Sequence, residues 1–158
     1  MRRPFAAALA LACVAVLGLA AVAARSKPSR RKSRDAAGLS REIEKRNVAR
    51  LAELRIASAK YFGEHDAYYP AKLEDLAPLL AGGKIPMVAV PNHEETAEVE
   101  VYAPEACRKR KGGIELLPKK LRDTGRWGYV PKDNEACWGM IFIDCTHKNS
   151  KGKPLYDY

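Results

Sequence analysis

Residues 39–80 read LSREIEKRNVARLAELRIASAKYFGEHDAYYPAKLEDLAPLL, and the pattern of this stretch decides the fold. With Val48 as the zero of a helical wheel and about 100° per residue, Leu51, Ala52, Leu54, Ile56, Ser58, Ala59, Tyr61 and Phe62 fall on one broad side. Arg46, Arg50, Glu53, Lys60 and Glu64 fall on the other, and Arg55 interrupts the apolar sector. A seam this wide suits a helix lying along a sheet, whereas a two-stranded coiled coil needs a narrower stripe. Ser40 is placed as N-cap, with Ile43 at the third helical position, and the helix is expected to run to His65 or Asp66. Pro70 lacks an N–H and biases Tyr69 to extended backbone, so the helix must stop before it. Lys72 to Leu80 reads as a second, short helix with Leu73, Leu76, Leu79 and Leu80 on its apolar side. Gly82 and Gly83 follow, where glycine commonly ends a helix.

Upstream lie two appendages. Residues 1–24 pair Arg2 and Arg3 with an uncharged Ala/Leu/Val run over 5–24. The run fits a cleaved signal peptide, with small residues around Ala21–Ala24, and equally an uncleaved anchor, because about 20 apolar residues span a bilayer. Export is the expectation, with the protein periplasmic or anchored in the inner membrane and its domain outside the cytoplasm. More basic residues follow the run than precede it, which argues for the opposite orientation. Residues 25–38 carry Arg25, Lys27, Arg30, Arg31, Lys32 and Arg34 with Pro28 and serines, the composition of a solvated basic linker. Beside an apolar segment such a run also suits anionic lipid headgroups. Nucleic acid ranks lower, since no aromatic residue is interleaved to stack on bases.

The net charge of +9 belongs to these appendages. Eight of the 28 Lys and Arg residues lie there, leaving 20 against the 19 acidic residues, all of which lie from Asp35 onward. Residues 39–158 therefore form one nearly neutral domain.

Downstream of the helices the period changes. Residues 85–91 (IPMVAVP) are bracketed by prolines and read as an extended surface crossing. Residues 97–102 alternate, with Val99 and Val101 on one side and Glu98 and Glu100 on the other. Arg108, Lys109, Arg110 and Lys111 with two glycines read as a basic turn, and 114–117 as a strand. A turn at Asp123-Thr124-Gly125 leads into a strand over 126–130; 131–135 is a loop, and 138–144 a continuous apolar strand. Helices first and strands after predict an α+β domain: a long N-terminal helix packed on a small antiparallel sheet.

The order of apolar segment, long helix, YYPAKLEDL, Ile-Pro loop and small sheet resembles the type IV pilin and type II secretion pseudopilin superfamily. DTGRWGYV (123–130) and WGMIFIDCTH (138–147) are similar to the last strands of its domains. The N-terminus departs from the pattern: Pro4 precedes Phe5, and Leu9 stands where the family has Glu. The resemblance therefore implies a pilin-like domain on an atypical leader, a structural or assembly role, and other pilin-like or secretion-system subunits as partners. It also implies a calcium option, with Asp133, Asn134, Glu135 and Asp144 as oxygen donors, although no EF-hand spacing is present. Otherwise no cofactor is expected.

The chemistry-bearing residues are few. His65 reads as a cap or surface residue, His93 lies in a loop before Glu94 and Glu95, and His147 follows Cys145 at one residue's remove. The run Asp144-Cys145-Thr146-His147 invites a Cys–His reading, but neighbours in a strand face opposite ways. No Gly-rich loop opens a helix, so phosphate binding of the P-loop kind is not indicated. Apart from Cys13 there are three cysteines. Were 138–144 one strand, Cys137 and Cys145 would stand roughly 26 Å apart, so a disulfide requires Cys107 with Cys137 or Cys145. The alternative is three reduced thiols. Trp127, Tyr129, Trp138, Phe142, Tyr156 and Tyr158 supply either a core or a partner surface.

Three functions remain in view. The first is a non-enzymatic assembly component; the second is a free periplasmic or secreted binding module of pilin-like fold. The third is an anchored protein that engages anionic lipid or DNA through the two basic clusters, with a steep salt dependence.

Overall fold

In the computed structural model, residues 30–131 and 137–158 are described, with side chains from residue 40 onward. The signal or anchor segment, Arg25, Lys27, Asp133, Asn134 and Glu135 lie outside the described residues, as do the side chains of Arg30, Arg31, Lys32 and Arg34.

Helix α1 spans Arg30–Glu64. It begins well ahead of Ser40, and its backbone runs through much of the stretch expected to be a linker; between Pro28 and Pro70 no proline interrupts it. It ends as Pro70 requires. The Ala67 N–H closes on the Phe62 carbonyl (3.1 Å), with Asp66 at φ 52°, the six-to-one bond and left-handed C′ residue of a Schellman stop. His65 Nδ1 lies 2.9 Å from the Tyr61 carbonyl, and its ring stacks on Tyr61 at 3.7 Å, which agrees with its reading as a cap.

The second helix is 3₁₀ rather than α, Leu73–Leu79. Pro78 lies inside it and cannot supply an α-type bond, and a three-residue turn stacks Leu73 and Leu76 on one buried line. The Asp75 carboxylate accepts the Lys72 N–H (3.0 Å) and fixes its start.

Five strands follow: β1 Val99–Val101, β2 Cys107–Arg110, β3 Gly113–Leu116, β4 Trp127–Tyr129 and β5 Ile141–Ile143. They form a three-stranded sheet in the order β1-β4-β5 and a separate β2–β3 hairpin. The architecture is α+β, but the sheet is mixed instead of antiparallel. β5 runs antiparallel to β4, whereas β1 is parallel to it, with Val99 opposite Trp127. A parallel pair needs a long crossover, and residues 102–126, which include the hairpin, supply it. The expected basic turn is itself part of that hairpin: Arg108 to Arg110 lie in β2, and the chain reverses only at Lys111-Gly112.

The apolar run over 138–144 is also not one strand. A turn closed by the Met140 N–H on the Cys137 carbonyl (3.0 Å) occupies its first part, with Gly139 at φ 75°. A side chain at Gly139 would overlap the Tyr69 ring. Tyr69 and Tyr68 both meet Trp138 edge-on. Within β1, Val101 is 56% exposed, so the expected alternation does not bury it; β1 is the sheet edge, and cover ends at Val99.

The core has two parts. One face of the sheet (Trp127, Tyr129, Ile141, Ile143) packs on Leu51, Leu54 and Ala57 of α1, on Leu73 and Leu76, and on Val88 and Val90 of the crossing. The other face, through Phe142, packs on Tyr102, Leu116 and Val130. A Cβ at Gly128 would overlap the Phe142 ring, so the ring can lie across β4 only because glycine stands there.

Polar ties hold these layers. The Asn47 amide is buried and pairs with both backbone groups of Ala89 (2.5 and 3.3 Å), like a neighbouring strand. Arg55, the anomaly of the helical wheel, donates to the Ile141 carbonyl (3.0 Å) and the Tyr158 main-chain oxygen (2.8 Å). A disulfide joins Cys107 to Cys137 with Cα atoms 6.4 Å apart, one of the two pairings expected, and Cys145 is free and buried.

Candidate metal centre

The broad apolar sector of α1 divides in two. Asn47, Leu51, Leu54, Ala57 and Ser58 are buried, while Val48, Ala52, Ile56 and Ala59 form a stripe on the exposed side. The sheet covers only part of a seam that the helical wheel showed as continuous.

The second grouping lies at the opposite edge of the core. His93 follows the turn at Asn92 (φ 64°), Asp123 occupies the turn before β4 (φ 57°), and Cys145 and His147 leave the end of β5. Each offers one donor atom, and the four atoms lie within 4.8 Å of one another. Cys145 Sγ is 3.3 Å from His147 Nδ1, and Asp123 Oδ1 is 3.9 Å from both His147 Nδ1 and His93 Nε2.

Local hydrogen bonds build this convergence. Asp144 is fully buried, and its carboxylate accepts from Asp123 N–H (3.2 Å), Thr124 N–H (3.0 Å) and Thr124 Oγ1 (2.6 Å). In return the Asp123 carboxylate accepts the Thr146 N–H (2.7 Å). The two acids thus lock the turn before β4 to the segment after β5. Gly125, at φ 75°, faces the His93 side chain so closely that a Cβ would overlap it. Asn92 Nδ2 stands 3.2 Å from His147 Nε2. His93 Nε2 is buried with no hydrogen-bond partner.

The electrostatics follow. Burial pushes the Cys145 thiol up to about 11, opposed by a hydrogen bond with the His147 backbone and reinforced by the Asp123 and Asp144 carboxylates. Burial also raises the Asp123 carboxyl, but the hydrogen bonds from Thr146 and the fields of His147 and His93 outweigh it and hold the group below its usual value. A buried thiol of high pKa is a poor nucleophile. His147 Nδ1 faces both Cys145 and Asp123, while its Nε2 faces Asn92. Four donors turned towards one point match a metal-ligand set instead.

This cluster was missed in the sequence. The neighbour rule separates Cys145 from Thr146, but Cys145 and His147 are two residues apart and share a face of an extended chain. The Cys-x-His spacing was therefore the available signal; His93 and Asp123 join it only through the fold. Of the calcium donors, Asp144 is fully engaged by the turn. Of the basic residues described, Arg108 and Arg110 both pair with Glu115 (2.8 and 2.6 Å) on one face of the hairpin, and Lys109 alternates to the other. Trp127, Tyr129 and Phe142 are core residues; Trp138, Tyr156 and Tyr158 are half-buried. Among the described residues no helix is long and apolar enough to cross a membrane. No family model, no curated protein and no solved structure matches this chain.

Proposed function

We propose that this chain is an exported, non-enzymatic structural subunit that assembles with other pilin-like subunits of a type II secretion or type IV pilus machine. The observation that carries the reading is the split helix face: one side of α1 is buried by its own sheet, and Val48, Ala52, Ile56 and Ala59 remain exposed along the other. Ile56, 71% exposed, gains nothing for the monomer where it stands. An apolar helix stripe beside an apolar N-terminal segment suits subunits that bundle their helices. The raised thiol pKa of Cys145 supports a reading without a catalytic step.

The test is Ile56→Arg in the full chain, expressed in the cell envelope. The monomer keeps its stability within about 0.5 kcal/mol, as exposed substitutions do, while chemical crosslinking to other subunits is lost. Crosslinking at wild-type level in Ile56→Arg would remove the helix as the assembly surface. A free binding module is the second reading, favoured by a groove of about 450 Å³ between α1 and the crossing, lined by Ile43, Asn47, Val90 and Leu155. It is preferred if the mature protein is recovered without residues 1–24 and uncrosslinked.

A further inference from the structure

We propose that His93 Nε2, Asp123 Oδ1, Cys145 Sγ and His147 Nδ1 bind one zinc ion in a closed, structural site. Zinc takes sulfur, nitrogen and oxygen donors tetrahedrally at about 2.0–2.3 Å, which sets the donors about 3.3–3.8 Å apart. Three of the separations, one of 3.3 Å and two of 3.9 Å, are in or near that range, and contraction of donors that all lie within 4.8 Å of one another completes the tetrahedron. The donor set selects the metal: a thiolate and two imidazoles suit zinc, whereas calcium and magnesium require oxygen ligands.

Two independent features point into the site. His93 Nε2 is buried without a hydrogen-bond partner, an expensive state for an imidazole that a metal bond relieves. The surroundings are those of a supported ligand shell. With Nδ1 on the metal, His147 carries its proton on Nε2, and the Asn92 amide turns its oxygen to accept it. Asp144 fixes the backbone beneath Asp123, and Gly125 leaves room for His93. The disulfide occupies Cys107 and Cys137 in the other part of the core and leaves Cys145 as the free thiol among the described residues. On binding, the Cys145 S–H proton passes to solvent and the S–Zn bond forms. The thiolate and the Asp123 carboxylate then balance the charge of the ion. All four tetrahedral positions come from protein, so the site ties the crossing loop, the turn before β4 and the end of β5 together and leaves no position for substrate.

The test uses the full chain, stripped with chelator and dialysed, then titrated with zinc chloride, and separately with cobalt(II) as a spectroscopic stand-in. One equivalent of zinc per chain is expected, with a rise in Tm. Cobalt should give the intense d–d bands of a tetrahedral centre and a thiolate charge-transfer band. Cys145→Ser should abolish the charge-transfer band, His93→Gln should reduce zinc affinity more than about 100-fold, and Asn92→Ala should reduce it by about 10–100-fold. Far-UV circular dichroism and the intact disulfide confirm folding of each variant. Weak octahedral cobalt spectra, or equal zinc uptake by the wild type, Cys145→Ser and His93→Gln, would overturn the proposal. The result is independent of assembly, which Ile56→Arg tests on the helix.

Discussion

Removing the Asp144 carboxylate should be among the most damaging single changes in the domain. The side chain is fully buried, and its two oxygens accept three hydrogen bonds from the Asp123–Thr124 turn. Hydrogen bonds to a charged acceptor each contribute about 1.5–3 kcal/mol net, and orphaned donors retain their desolvation cost. The turn is half-exposed, so water replaces part of what is lost. We therefore expect Asp144→Ala to cost about 3–4 kcal/mol, a large part of the 5–15 kcal/mol typical of a domain. Asp144→Asn is isosteric. With its oxygen facing Thr124 it keeps two bonds and turns its amide group against the Asp123 N–H, for a loss of about 1–2 kcal/mol. Urea unfolding with chelator present, followed by fluorescence of the buried Trp127, measures both. Thr124→Val completes a double-mutant cycle, with a coupling of about 1 kcal/mol or more to Asp144. A loss under about 1 kcal/mol in Asp144→Ala, or strict additivity with Thr124→Val, would refute the role of the carboxylate as organiser of the turn.

Two further outcomes follow from other ties. The Tyr129 hydroxyl donates to the Pro70 carbonyl (2.6 Å), and burial, followed by the charge of Asp75, lifts its pKa above the ordinary 10.0. A folded pKa above the unfolded one means that this stability is complete below about pH 10 and is lost as pH rises beyond it. Tyr129→Phe should cost about 1 kcal/mol at neutral pH by orphaning that carbonyl. It should also make the alkaline decline shallower by about 1.4 kcal/mol per pH unit; Tyr102, raised chiefly by burial as well, keeps part of the slope. Tm against pH reads both, and an unchanged alkaline slope would contradict the assignment. Cys107→Ser opens a loop with a sequence separation of 30, worth about 3–4 kcal/mol by chain entropy. Reductant should bring the wild type down to the same unfolding midpoint, and a midpoint insensitive to both changes would show that the bridge constrains nothing.

The sequence revealed features whose cause is local. Pro70 ends α1, the Leu73/Leu76 spacing marks the short helix, and Asp123-Thr124-Gly125 marks the turn into β4. It did not reveal features decided by distant packing. β1 pairs parallel because the connection over 102–126 is long enough to cross over, which alternation in Val99 and Val101 cannot register. The apolar run over 138–144 bends at Gly139, where only glycine clears the ring of Tyr69 from the segment that follows α1. Arg55 looked misplaced on the wheel because its partners, the Ile141 and Tyr158 main-chain oxygens, are remote in sequence. Of the four clustered donors, Cys145 and His147 stand two apart in sequence and share a face of an extended chain, whereas His93 and Asp123 join them only through the fold.

The proportions of the molecule explain why its ties matter. Strands β1, β4 and β5 have three residues each, too few for a sheet to be stable through its own ladder. What holds them is attachment to α1: Leu51 and Leu54 beneath the sheet, Arg55 at its edge, and Asn47 on the crossing that carries His93 four residues later. The polar cross-links therefore act where the sheet is weakest. The Asp123–Asp144 exchange joins the start of β4 to the end of β5, and the Cys107–Cys137 disulfide secures the hairpin behind them. A zinc ion at His93, Asp123, Cys145 and His147 would add the crossing to this set and so connect the sheet end to the segment that Asn47 clamps. The core contacts of α1 run through Leu51, Leu54 and Ala57, and Ile56, 71% exposed, stands outside them. That separation lets assembly and stability be altered independently: Ile56→Arg should change the first without the second, and Asp144→Ala the second before the first.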